Sequence, residues 1–183
     1  DRDSDVRTRL EVLARDPDAA ERDDVDRMAL RQVRRSAEAF ARQLGLPLPA
    51  AIASGTPMSD VTKVGDTFHT NEGVDNVLVS RDGFCDAGAT VYAAGHDLKD
   101  PLLSPVYGDM HGFPPTILTS GTRDLLLSNT VRVHRKLRQA GVEAVLQVFE
   151  GQSHAHYLRD DSAPETHEVF AEIGLFFDRH MAR

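Results

Sequence analysis

Residues 116–156, TILTSGTRDLLLSNTVRVHRKLRQAGVEAVLQVFEGQSHAH, decide how the chain folds. A short apolar run from Ile117 to Ser120 is followed by Gly121 and then Arg123-Asp124, which is how a buried strand ends in a turn. Between Leu125 and Leu137 the apolar residues Leu126, Val133 and Leu137 recur at helical spacing. Basic residues fill the last turn and Gly141 stands where a helix stops. A second strand follows from Val142 to Phe149, rich in β-branched and aromatic side chains, and Gly151 breaks it just before Ser153-His154. Strand, helix, strand is a crossover unit, so the two strands are expected to be parallel neighbours.

In a parallel sheet the loops after both strands open on the same carboxyl edge, where open α/β folds place their sites. Asp124 and His154 therefore fall on one side of the sheet, one strand apart. A carboxylate there can hold an imidazole by one ring nitrogen, stabilise its protonated form and leave the other nitrogen to act as a base. The plainer alternative is that Asp124 caps a helix and His154 is a solvated loop residue.

Three further stretches extend the pattern: LPLPAAIAS at residues 46–54, DPLLSPVYGDMHGFPPTILTSGTRDLLLSN at 100–129, and AGVEAVLQVFEGQSHAHY at 140–157. Together they make the run from Leu46 to Tyr157 resemble the C-terminal half of an α/β-hydrolase of the hormone-sensitive-lipase-like esterase group. The resemblance implies an α/β fold with a partial parallel sheet of about three strands, at residues 50–54, 116–120 and 143–149, flanked by helices. It implies that Asp124 is the acid and His154 the base of a Ser-His-Asp triad, in the chain order Ser, Asp, His expected of that fold. The substrate class it implies is a small ester or lactone with a short acyl group, hydrolysed without a cofactor.

The sequence departs from the family at the nucleophile. The elbow G-x-S-x-G should precede the strand at residues 50–54, and no serine has glycine at both flanking positions. Ser153 comes closest, with Gly151 before it and Ala155 after it, but it adjoins the expected base. The glycine-rich oxyanion motif is also missing, and His111-Gly112-Phe113 lies on the wrong side to replace it. The expectation is an incomplete catalytic triad, with little or no turnover from these residues alone. The alternative is a non-catalytic α/β module for binding or assembly. A receiver-like signalling domain fits less well, because no acidic cluster follows a first strand.

Composition narrows the rest. The chain has 183 residues, 40% of them hydrophobic, enough for an ordinary core without disulfides or metal. Its single cysteine, Cys85, forms no internal disulfide and suits a reducing, cytoplasmic setting. Phe84 and Val91 beside it suggest a buried thiol on one helix face. A net charge of −8 and the lack of a basic stripe argue against a nucleic-acid partner. No apolar run is long enough for a membrane span and no signal peptide is evident at the start. Asp109 and His111 have no further ligands at a familiar metal spacing, and His156, His167 and His180 are too dispersed to form a site.

Residues 1–45 form a separate segment, Asp- and Arg-rich and free of lysine. Two helices are expected there, at about residues 5–14 and 24–44, the second with an apolar stripe from Val25 to Leu44. A cap over the site, a cover for a sheet edge and an out-of-frame stretch of coding sequence all remain open for this segment. Residues 46–183 make up the α/β part. Its apolar strand between Ala50 and Ser54 is expected to present an unpaired edge, open to self-association or to the 24–44 helix. Residues 56–80 read as a long polar connection that could lie over the site, with His69 at the surface. Residues 81–94 read as a helix with Phe84, Val91 and Tyr92 as its apolar members. A closing helix at about residues 164–182 is expected to pack Phe170, Ile173, Phe176 and Phe177 on the sheet, leaving Asp178, Arg179 and His180 in water.

Overall fold

The computed structural model describes residues 47–181. Three parallel strands, β1 (Ile52–Gly55), β2 (Thr116–Gly121) and β3 (Ala144–Phe149), form one sheet in the order β1-β2-β3. The register pairs Ile52 with Thr116, Thr116 with Ala144, and Gly121 with Phe149. Both crossovers therefore return the chain to the same edge, and the loops after β2 and β3 open side by side.

β2 is central and every one of its residues is buried. Leu118 packs with Met110, Val133, Leu137, Val142 and Ala144, so helix α3 (Leu127–Gln139) covers one face. Leu126, Val133 and Leu137 are buried, as the helical spacing requires, and Gly141 ends the helix at φ 76°. On the other face Thr119 donates to Gln147 Oε1 at 2.6 Å, and Gln147 Nε2 donates to Glu172 on helix α4 (Pro164–Met181) at 2.5 Å. No strand pairs with the outer edge of β1 among the described residues, and the helices expected at 5–14 and 24–44 lie outside them.

Several expectations need correction. The closing helix buries Val169 and Phe176 completely, whereas Phe170 is 50% exposed. His180 does not stand in water. Its ring lies 4.6 Å from that of Phe176 and its Nε2 lies 3.4 Å from Glu143. The helix expected at 81–94 is interrupted, because a wide turn at Arg81–Cys85 holds Gly83 at φ 110° before helix α2 (Asp86–Ala93) begins. α2 buries the small residues Ala89 and Ala93 and leaves Val91 79% exposed. Cys85 is buried, but under the turn and not on a helix face with Val91.

The polar connection at 56–80 is also far more ordered than its composition suggests. It begins with Ser59 and Asp60, both fully buried. Asp60 accepts from Arg132 of α3 at 2.6 Å and from Tyr107 at 2.9 Å, and the Asp60 amide donates to Asn129 Oδ1 at 2.8 Å. A buried carboxylate persists only when partnered, and this network supplies donors to that of Asp60. The segment then enters α1 (Thr67–Thr70), a single turn whose Phe68 packs with Leu125 and Leu126.

Candidate active site

The two side chains singled out by spacing meet at the carboxyl rim. His154 Nδ1 lies 3.2 Å from Asp124 Oδ1, with Asp124 wholly buried and His154 only 5% exposed. A carboxylate accepts hydrogen bonds and does not donate them, so the bond places the hydrogen on Nδ1 and leaves Nε2 as the bare ring nitrogen. Asp124 Oδ1 also accepts from the Leu126 amide at 2.9 Å, so the residue fixes the turn that leads into α3 as well as holding the imidazole. Its second oxygen accepts from the Ser120 hydroxyl at 2.6 Å. With two backbone or side-chain donors besides the imidazole, the carboxylate is fixed in place.

The loops that carry the pair are sewn together by backbone bonds. The Thr122 amide donates to Phe149 O at 3.0 Å and Arg123 to Gln152 O at 3.1 Å. The Gly151 amide donates to Thr122 Oγ1 at 2.8 Å. Gly121 is needed at this junction because a Cβ there would overlap the carbonyl of Gln152. Gly151 turns the chain at φ 72° and Ala155, just past His154, sits at φ 50°. Beyond it Tyr157 reaches across the rim to β1, where its hydroxyl occupies the space a Cβ on Gly55 would need. The Tyr157 ring packs edge-on against Phe170 at 6.2 Å, anchoring the loop after β3 to α4.

A third element, unforeseen in the sequence, grips both loops. Thr67, Asn71 and Asp75 are spaced four apart, and backbone bonds from Asn71 to Thr67, from Asp75 to Asn71 and from Val79 to Asp75 put them on successive turns. Thr67 Oγ1 donates to Leu125 O at 2.9 Å, and Asn71 Nδ2 donates to Thr122 O at 3.1 Å and to Asp124 O at 2.9 Å. Asp75 Oδ2 accepts from the Leu125 amide at 2.8 Å and its Oδ1 from the His154 amide at 3.4 Å. The i, i+4, i+8 repeat of Thr, Asn and Asp is the one signal that pointed to this side of the segment.

Other candidates stand apart from the rim cluster. Asp109 and His111 are exposed and bond one another at 2.6 Å. His69 and His167 are exposed. Ser153 is buried and its hydroxyl accepts from the Asn76 amide at 3.2 Å. No group of three His, Cys, Asp or Glu residues is gathered as a metal site among the described residues. No helix among them is long and apolar enough to cross a membrane.

The chain has counterparts among known proteins. The chain is 27% identical over 135 residues to an acetyl-hydrolase of Streptomyces hygroscopicus, covering 74% of this chain and 44% of that protein. It superposes on the crystal structure of an esterase, E25, with a TM-score of 0.79 and 50% identity, covering 81% of this chain and 46% of the other. A crystal structure of an esterase from the bacterial hormone-sensitive lipase family gives a TM-score of 0.76 at 29% identity, over 82% of this chain and 50% of that one. The chain thus spans about half the length of the relatives it matches. The sequence pattern of the alpha/beta hydrolase fold matches residues 31–158, most of the chain, and with the parallel sheet and its rim this makes the protein a member of the α/β-hydrolase family, in its hormone-sensitive-lipase-like esterase group.

Proposed function

We propose that the chain provides the acid and base of a serine carboxylic-ester hydrolase acting on short acyl esters or lactones. The observation that carries this reading is the buried bond between His154 Nδ1 and Asp124 Oδ1 at the carboxyl edge of the sheet. In the reaction a serine hydroxyl attacks the ester carbonyl while His154 Nε2 takes its proton. The same nitrogen then returns the proton to the departing alcohol, and in the second half activates water against the acyl-enzyme. Asp124 keeps the imidazole in one tautomer and stabilises its charged form. The esterase and acetyl-hydrolase relatives support ester hydrolysis as the reaction class.

The serine and the oxyanion donors belong to a segment with a G-x-S-x-G elbow, which residues 1–183 do not contain. By itself the chain is expected to show no hydrolysis of p-nitrophenyl acetate above background and no serine labelled by a fluorophosphonate. Co-expressed with an elbow-bearing N-terminal segment of a related esterase, it should hydrolyse the ester, and His154→Ala should abolish that rate. Labelling of a serine in the chain alone, or hydrolysis that survives His154→Ala, would overturn the assignment. A stable complex with no hydrolysis would favour a binding or assembly module.

A further inference from the structure

Asp75 is fully buried and all four partners of its carboxylate are backbone amides. Two of these, Val77 at 2.9 Å and Leu78 at 3.2 Å, are local and by themselves would make Asp75 an ordinary turn former. The other two are not local. Leu125, bonded to Oδ2, directly follows the acid, and His154, bonded to Oδ1, is the base itself. The next residue repeats the grip independently, since the Asn76 amide donates to the hydroxyl of Ser153, the residue before His154. Asn71, one turn earlier, adds its amide bonds to the carbonyls of Thr122 and Asp124.

We propose that Asp75 is a positioning residue: one carboxylate, holding the acid loop by one oxygen and the base loop by the other, sets the spacing between Asp124 and His154. The proposal rests on the reading of that pair as the proton relay. Its chemistry is selective. An amide side chain at position 75 has a single acceptor oxygen, so whichever way it turns, its NH₂ group faces the amide hydrogen of Leu125 or of His154 and one loop is released. Asp75→Asn is nearly isosteric and keeps an acceptor for one side, so its effect reports the loss of the bridge and not of bulk.

The test is proton NMR of the whole chain, following the hydrogen on His154 Nδ1. In the unaltered chain this hydrogen, buried and bonded to Asp124, should give a slowly exchanging resonance downfield of the amides. Asp75→Asn should speed its exchange with water by roughly tenfold, the size expected for losing one buried hydrogen bond, while the strand amides of Leu118 and Leu146 keep their rates. Unchanged exchange at Nδ1 in Asp75→Asn would overturn the proposal and reduce Asp75 to a turn former. No such resonance in the unaltered chain would instead overturn the Asp124–His154 pair, and the positioning role with it. If Asp75→Asn fails to fold, amide exchange in the unaltered chain decides instead: the Leu125 and His154 amides bonded to the two Asp75 oxygens should both be protected, and exchange of either at the rate of exposed loop amides would sink the proposal.

Discussion

Ser120 donates its hydroxyl to the one oxygen of Asp124 that His154 does not use, at 2.6 Å, from the penultimate residue of β2. The interaction is buried at both ends. Replacing Ser120 with Ala leaves a carboxylate oxygen short of a donor in a dry site, which costs about 1–3 kcal/mol. Urea unfolding monitored by circular dichroism should show that loss as a lower midpoint with an unchanged slope. The Asp124–His154 bond should persist, because its oxygen is the other one.

Asp124→Asn keeps the shape of the acid and reverses its chemistry. Turned toward His154, the new NH₂ faces the Nδ1 hydrogen or forces the imidazole into the wrong tautomer; turned toward Ser120, it leaves the imidazole a neutral acceptor in place of a carboxylate. In the complemented enzyme described above, kcat should fall on the order of 10⁴-fold, as the loss of the acid does in serine hydrolases, with KM little changed. Steady-state kinetics on p-nitrophenyl acetate would measure both constants.

The closing helix offers a matched pair. Phe176→Ala empties a site that is 0% exposed and should cost about 3–5 kcal/mol, while Phe170, 50% exposed, should lose about 1 kcal/mol or less. Thermal melts of the two variants should separate widely. Equal losses would show that the face of the helix against the sheet has been misplaced.

Gly55→Ala should be destabilising by about 1–3 kcal/mol, since the new methyl group meets the hydroxyl of Tyr157. Tyr157→Phe in the same chain should recover part of that loss by removing the obstructing oxygen. A double-mutant cycle on unfolding free energies checks the coupling.

Burial raises the pKa of the Cys85 thiol, so at a given pH less of it is thiolate than in a free cysteine. Iodoacetamide should modify it slowly in the folded chain and rapidly in urea. The sign for stability follows: the unfolded chain loses the thiol proton first, so above the ordinary thiol range it binds fewer protons than the folded chain and stability falls as pH rises. Cys85→Ala should remove that alkaline component of the decline in a pH series of melts.

The crossover from β2 through α3 to β3 was legible because its signals are local and agree. Apolar periodicity marks the helix, Gly141 ends it and Gly151 ends the strand that follows. The meeting of Asp124 with His154 followed from topology, since parallel strands send both loops to one rim. What stayed hidden was the polar brace. Thr67, Asn71 and Asp75 have the composition of a solvated connection, and nothing in a hydropathy pattern says that their acceptors and donors are spent on the backbone of two distant loops. Asp60 was missed for the same reason, its partner Arg132 being 72 positions away. Val91 and Phe170 misled in the opposite sense, as apolar side chains that face outward. Pattern alone ranks them with the core, while the choice of face is made by what each helix packs against.

The wiring of the rim has a practical corollary. Among the described residues, every group bonded to the Asp124 carboxylate or to the His154 amide and Nδ1 lies between Asp75 and His154, on the near side of β1. A cut made upstream of β1 would leave those connections whole, and on the proposed function an elbow supplied on a separate polypeptide would meet Asp124 and His154 already in register. Members of this fold severed at that point are therefore natural starting material for a two-piece reporter, in which colour from a chromogenic ester signals that two fused partners have met.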